Sequence, residues 1–144
     1  VIVIVGILAA IAIPVYTSNM QRARRADAKV ALEQVRAAQE MWRAEKGCYA
    51  RDGVDCLGNA SAGTAETKLQ TTMGAPAATI SPFYTWSFTV KTATAFTAQA
   101  VRQGSQLADS GGTLFLDQNG NKWSVDTHAV THNYPADPAS AWAK

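Results

Sequence analysis

Two cysteines and two histidines are the residues of this 144-residue chain best suited to metal or redox chemistry. Seven residues separate Cys48 from Cys56, and His128 and His132 lie four positions apart. Structural zinc sites usually place paired cysteines about two to four residues apart. A disulfide between Cys48 and Cys56 therefore fits better than a zinc site made of all four residues. A disulfide is also typical of proteins exported from the cytosol.

The remaining motifs are weak. Segment 117–121 (DQNGN) has the composition of part of a calcium loop, but the glutamate that completes such a loop is not matched. Asn59 and Ser61 match an acceptor sequence for N-linked glycan, in a polar loop that otherwise reads as flexible surface. No spacing selects a Ser–His–Asp set or a phosphate-binding loop. The sequence thus predicts no catalytic residue, no metal site and no cofactor, and therefore not an enzyme.

The beginning of the chain (VIVIVGILAAIAIPVY) is its most unusual feature, because residues 1–21 carry no charge. As a helix, residues 1–13 are about 20 Å long, shorter than the roughly 30 Å of bilayer hydrocarbon. Three interpretations compete: a buried core helix, the hydrophobic part of a cleaved secretory signal, or a membrane segment whose beginning is missing from this chain.

An amphipathic pattern continues beyond this apolar segment (residues 1–21). Apolar residues recur at spacings of three and four between Ala28 and Trp42, and Gly47 is a plausible stop. We therefore predict one helix over residues 1–46, in which Pro14 costs about 3 kcal/mol. A cleaved signal would precede an unrelated pattern, so this continuity favours the membrane interpretation.

Positive charge is concentrated directly after the apolar segment. Residues 22–46 contain seven basic and four acidic residues, whereas residues 47–144 contain six and seven. A basic flank favours an interface with anionic lipid. Its N-terminal cluster could also contact the phosphates of nucleic acid, but we expect it to mark a membrane boundary. The cluster comprises Arg22, Arg24, Arg25 and Lys29.

A small antiparallel sheet is predicted after a loop-like region over residues 48–82. Residues 84–90 and 96–100 alternate in polarity, and Asn119-Gly120 between 113–117 and 122–125 is a strong hairpin signal. The predicted fold class is α+β, with the long helix packed on a three- to four-stranded meander. The helix–sheet core is expected to contain Leu32, Val35, Trp42, Trp86 and Phe88, with Phe96, and Phe115 or its neighbours, on the same face. The tail is expected to wrap the sheet edge, anchored by Tyr134 and Trp142.

The run GILAAIAIP (6–14), followed by Tyr16 and the amphipathic helix, closely resembles the N-terminal segment of bacterial type IV pilins. The resemblance covers the N-terminal third of the chain, and the predicted helix on a meander is similar to a pilin head. It implies a methylated N-terminal residue and a glutamate upstream of Val1. We therefore expect the N-terminal residues of the mature protein to be missing from this chain.

The resemblance implies a structural subunit that polymerises through its hydrophobic helix into an extracellular filament for adhesion, twitching motility or DNA uptake. Its partners would be further copies of itself, the inner membrane before assembly and the pilus assembly machinery, while no motif indicates nucleic acid. Residues 1–21 would form the filament core, and residues 22–144 the head. The head would comprise helix 22–46, disulfide loop 47–82, sheet 83–125 and tail 126–144. Filament-core residues would be Val1, Ile4, Gly6, Leu8, Ala9, Ala10, Ile13 and Pro14.

Two alternatives stay open. The first is a pseudopilin of a type II secretion system, which by resemblance usually binds calcium near its C-terminus. The low number of acidic residues after Val125, where only Asp126 and Asp137 occur, argues against this alternative. The second is a periplasmic binding module with a cleaved signal.

Overall fold

One long helix, α1 (Ile2–Lys46), forms the N-terminal third of the protein. The computed structural model describes residues 2–143, except for the side chains of Val5 and Ala9. The single helix predicted from the polarity pattern is thereby confirmed, and it carries the sheet on its C-terminal part.

Helix α1 continues through Pro14 without a break. Pro14 has no backbone N–H to donate to the preceding turn. Its own carbonyl accepts a hydrogen bond from the Thr17 hydroxyl at 3.0 Å. The helix ends where Gly47 takes a left-handed conformation (φ +86°) and donates its N–H to the carbonyl of Arg43. Glycine adopts this conformation without steric cost, which explains why the helix stops there.

The sheet has six antiparallel strands in sequence order, rather than the three to four predicted. The four central strands correspond to the predicted ones. The two additional strands lie at the edges, are only three and four residues long, and show no apolar alternation in sequence. The strands are β1 (Thr79–Ser81), β2 (Tyr84–Lys91), β3 (Phe96–Arg102), β4 (Thr113–Asp117), β5 (Lys122–Val125) and β6 (Thr131–Tyr134).

The predicted loop 47–82 contains a second helix, α2 (Ala65–Met73), in addition to β1. Thr64 caps its start by accepting the N–H of Thr67 at 3.2 Å, and Gly74 ends it with φ +69°. The helix is short and buries few apolar side chains, so it leaves little periodicity in the sequence.

The hydrophobic core lies between α1 and the inner face of the sheet. Leu32 and Val35 are fully buried there, together with Trp86 and Phe88, while Trp42 is partly buried at the margin. Edge-to-face ring contacts extend the core from Trp86 through Phe88 to Phe96. Of the two options predicted in this strand, Phe115 or its neighbours, the neighbours contribute to the core. Its neighbours Leu114 and Leu116 point into the core, so strand alternation places Phe115 on the outer face.

The C-terminal end of α1 is tied to the loop that follows it. Cys48 and Cys56 are joined by a disulfide with an S–S distance of 1.96 Å. The buried Gln39 accepts the backbone N–H of Ala50 at 2.9 Å, and the Tyr49 hydroxyl donates to Glu40 at 2.8 Å. These contacts fold the chain back along the helix immediately after it ends.

A buried ion pair ties the other end of the packed helix to the turn that follows β3 (the 104–108 turn). Arg25 lies 2.8 Å from Asp109, and the side chains are only 7% and 1% exposed. Asp109 also accepts from Gln106 at 2.7 Å and from the N–H of Gly111 at 3.0 Å. Both carboxylate oxygens of Asp109 therefore have a partner. Burial of Tyr84, together with the negative charge of Asp109, raises the pKa of Tyr84 to about 12.

The C-terminal tail packs over the sheet next to β5. Trp142 is almost fully buried and donates its indole N–H to the carbonyl of Trp123 at 2.9 Å, whereas Tyr134 is 41% exposed and is not the anchor expected. His132 lies between two carboxylates, 2.6 Å from Asp137 in the tail and 3.3 Å from Asp126 after β5. This histidine bridge ties the tail to the segment that follows β5.

Replacing Asp109 with alanine is expected to lower the free energy of unfolding by about 3 to 5 kcal/mol, because it leaves the Arg25 charge buried without a partner. Chemical unfolding of the full chain in detergent micelles measures this loss. Asp27→Ala, on an exposed position of α1, is the control. A loss no larger than that of the control would show that the buried pair does not hold helix and turn together.

Stability should also depend on pH through the histidine bridge. The hydrogen bonds to Asp137 and then Asp126 raise the pKa of His132, so its stabilising effect is complete below about pH 6.5 and is lost as pH rises through the raised pKa. The N–H groups of Val130 and His128, with His132, lower the pKa of Asp126. Its contribution is present above about pH 4 and is lost on acidification through the lowered pKa.

We therefore expect the melting temperature to be highest between about pH 4 and 6.5 and to fall towards pH 8. His132→Gln should remove the fall between pH 6 and 8, whereas His128→Gln, at a side chain 85% exposed, should keep it. Thermal unfolding followed by near-ultraviolet circular dichroism measures both. An unchanged pH profile in His132→Gln contradicts the prediction.

Candidate functional site

The apolar surface at the start of α1 is not covered by any part of the chain that the structure describes. Every described side chain from Ile2 to Thr17 is exposed. Ile2 is 88% exposed and Tyr16 66%. Of the predicted filament-core residues, Ile4, Gly6, Leu8, Ala10, Ile13 and Pro14 lie on this surface, whereas Val1 and the side chain of Ala9 lie outside the described residues.

This surface requires a non-aqueous partner. Apolar area left in water costs about 25 cal/mol per Å², and monomeric soluble proteins rarely expose a continuous apolar patch of such extent. Helix α1 is long and apolar enough to cross a membrane, and none of its most apolar stretch is buried. The described chain has no atom within 4 Å of the position that a Cβ on Gly6 would occupy, and small residues on an exposed helix surface let a second helix approach closely. Lipid and other helices are therefore the two environments this segment suits.

Unneutralised positive charge lies where the apolar segment meets the head. Arg24 donates to the Ser105 hydroxyl at 3.0 Å, and its guanidinium lies 3.5 Å from the centre of the Phe83 ring. Arg102 donates to backbone carbonyls of Leu107 and Asp109. Neither these two arginines nor the exposed Arg22 forms an ion pair with a carboxylate in residues 2–143. Arg24 and Arg102 both contact the 104–108 turn, and we call these two residues the arginine cluster. Arg22 lies two positions before Arg24 on α1, so its side chain leaves the helix in a different direction.

The arginine cluster differs from the cluster predicted from sequence. Arg25 already forms a buried ion pair with Asp109, and Lys29 donates to the backbone carbonyl of Trp142 at 3.1 Å. Burial, followed by repulsion from Arg25, lowers the pKa of Lys29. Arg102 joins the cluster because β3 ends beside α1, a proximity that nothing in the local sequence signals.

Elsewhere on the head several described cations lie beside carboxylates or donate to backbone carbonyls. Lys91 lies 2.8 Å from Asp52 and 2.9 Å from Glu66. Burial opposes charging of Lys91, but its hydrogen bonds to these carboxylates raise its pKa. Lys122 lies 2.5 Å from Glu33, and the buried Lys68 donates to two backbone carbonyls. The arginine cluster is therefore a place where a polyanion would find unpaired positive charge.

The weaker motifs have structural partners within the head. The Cys48–Cys56 disulfide makes the two thiols unavailable to zinc. The Asp117 carboxylate accepts the N–H groups of Asn119 and Asn121, both at 2.9 Å, and thus shapes the hairpin turn. No group of three or more His, Cys, Asp or Glu side chains in the described residues is arranged to hold a metal ion.

The glycan motif lies on an accessible loop. Asn59 is exposed, and its side-chain amide donates to Asp55 at 3.2 Å, while Ser61 is half-buried. Modification at Asn59 or Ser61 stays a prediction.

Residues 14–115 match the family described as type IV minor pilin ComP, DNA uptake sequence receptor. The matched residues run from Pro14 in α1 to Phe115 in β4, and they include α2 and the arginine cluster. No curated protein matches the chain at a significant level.

Proposed function

We propose that this chain, which belongs to the family of the type IV minor pilin ComP, enters a type IV pilus by packing its apolar segment against the same segment of other pilins. The observation that carries the proposal is the fully exposed apolar surface from Ile2 to Thr17. Lipid of the inner membrane satisfies this surface before assembly. Helices of neighbouring subunits satisfy it in the filament, which is extracellular.

The geometry of such an interface favours growth rather than closure. Each apolar segment presents one face to the subunit before it and a different face to the subunit after it, so the contact is heterologous and repeats as a helical filament. Small residues at Gly6 and Ala10 permit close helix approach. Residues 1–21 are thus proposed as the filament core and residues 22–144 as the head. Adhesion and twitching motility are roles that a filament of this kind supports.

DNA is a second proposed partner. The matching family is described as a DNA uptake sequence receptor, and the arginine cluster supplies cations that form no ion pair with a carboxylate within residues 2–143. Guanidinium groups bind phosphate oxygens through paired N–H donors. We assign the phosphate backbone of double-stranded DNA to Arg24 and Arg102, a contact that provides affinity without reading sequence.

A charge in the apolar segment should block entry into the filament. Leu8→Asp places a carboxylate at a position 62% exposed in the isolated chain, where burial in lipid costs about 2.5 to 3.5 kcal/mol. We expect the variant to be absent from sheared surface filaments, as judged by immunoblot and immunogold labelling. Leu57→Asp, at a head position 87% exposed, should be incorporated normally. Normal incorporation of Leu8→Asp would refute the proposed assembly surface.

Removing cluster arginines should weaken DNA binding and its salt dependence together. For the full chain in detergent micelles, Arg24→Gln and Arg102→Gln should each reduce the slope of log K against log salt by about 1. Arg36→Gln is the control, since Arg36 already lies near Glu33 at 4.0 Å. Fluorescence anisotropy of labelled duplexes gives the slopes. Unchanged slopes in both cluster variants would exclude this surface as the DNA contact.

A further inference from the structure

Two aromatic rings stack on the outer face of the sheet, on the side away from α1. Phe115 of β4 and Trp123 of β5 are register partners, and their rings are 5.3 Å apart with an interplanar angle of 2°. Both side chains are only partly buried. They occupy the centre of a row that crosses five strands: Ser87, Gln99, Phe115, Trp123 and Asn133.

An open cavity adjoins the indole of Trp123. Its volume is about 470 Å³, within the range of roughly 300 to 1,000 Å³ typical of small-molecule sites. Thr131, Asn133 and Tyr134 of β6 line it, whereas Phe115 does not. The cavity therefore lies on the β6 side of the indole, and Phe115 supports the ring from the β4 side. A ring held in this way is presented without further loss of rotamer freedom.

Polar groups in the cavity are available for a ligand. The side chains of Thr131, Asn133 and Tyr134 make no hydrogen bond within residues 2–143. The amide of Asn133 and the hydroxyl of Thr131 lie on the same face of the sheet as Trp123 and thus offer donors and acceptors beside an aromatic ring, whereas Tyr134 alternates to the other face. Ligand sites commonly combine an apolar surface with a few such convergent polar groups.

The charge of the cavity decides what kind of ligand suits it. Lys122 contributes to the lining, but its ammonium lies 2.5 Å from Glu33 and 5.1 Å from the centre of the Trp142 ring, on the α1 side. Asp117 adds a carboxylate. The cavity thus lacks unpaired positive charge for a phosphate backbone, in contrast to the arginine cluster.

We propose that this cavity binds a neutral saccharide. The C–H groups on one face of a pyranose ring would stack on the indole of Trp123, since the face of an aromatic ring carries partial negative charge. Sugar hydroxyls would bond to Asn133 and Thr131, whose polar atoms lack partners in the free protein. Saccharide binding by the isolated chain does not depend on the proposed function; only the accessibility of the site in a filament does. Because α1 covers the inner face of the sheet, the outer face points away from a core made of α1 helices.

The test titrates the full chain with lactose, N,N′-diacetylchitobiose and maltotriose. The chain is kept in dodecylphosphocholine micelles, because maltoside and glucoside detergents would compete. Indole N–H signals in NMR spectra report on the four tryptophans, and Trp123→Phe assigns the one that matters. We expect saturable shifts of the Trp123 signal with at least one saccharide below about 20 mM, the weak end of measurable affinity.

Substitutions locate the site. Trp123→Ala should weaken binding at least tenfold, and Asn133→Ala should also weaken it, as measured by shifts of backbone amide signals. Val101→Ala, on the same outer face but on β3, should bind normally. If Trp123→Ala does not fold, Trp123→Phe with Asn133→Ala replaces it. Trp123→Ala should still enter filaments, so failure of saccharide binding is separable from failure of assembly.

Three outcomes would overturn the proposal. The first is no saturable shift with any of the three saccharides. The second is equal affinity of the wild type and Trp123→Ala. The third is saturable binding of oligothymidylate in place of saccharide, which would make the stacked rings a platform for nucleobases.

Discussion

One helix must satisfy two different surroundings, and the rest of the structure follows from this constraint. From Ala28 to Ala38 one side of α1 is buried against the sheet, whereas from Ile2 to Thr17 no part of the described chain covers it. The head is too small to shield the whole helix. The apolar segment therefore depends on surroundings outside the subunit, first lipid and then, as we propose, other pilins. The sheet, the loop and the tail serve to hold the remainder of α1 in a water-soluble head.

Polar contacts fix the position of the head on α1. The buried pair of Arg25 and Asp109 lies near the start of the packed region, and Gln39 with the disulfide loop lies near its end. A buried ion pair adds little net stability compared with apolar packing, but it is costly to break. A shift of the helix along the sheet would leave both charges buried without partners, so the pair disfavours other registers. The same arginine-rich junction leaves Arg24 and Arg102 unneutralised, which links the architecture of the boundary to the proposed DNA contact.

The sequence predicts those features that depend on neighbours along the chain. Helical spacing defines α1, alternation defines β2 and β3, and Asn119-Gly120 defines the hairpin between β4 and β5. The edge strands β1 and β6 and the helix α2 were missed because short elements held by backbone bonds and caps leave no polarity pattern. Sites made by register are equally hidden. Arg102 lies near Arg24 only because β3 ends beside α1, and Phe115 contacts Trp123 only because β4 and β5 pair in one particular register. The apolar segment, by contrast, could be recognised from composition alone, because its chemistry does not need a partner from elsewhere in the chain.

The continuity of α1 also has a mechanical consequence. Its 45 residues form an unbroken lever of about 68 Å. The contacts between helix and head extend from the Gln21 carbonyl, which accepts from Gln106, to Glu40, which accepts from Tyr49. Tension applied to the N-terminal end acts parallel to this interface and loads it in shear. Under shear, all the contacts share the force and must rupture together, whereas peeling would break them in succession. This arrangement makes the head resistant to detachment from α1 under tension.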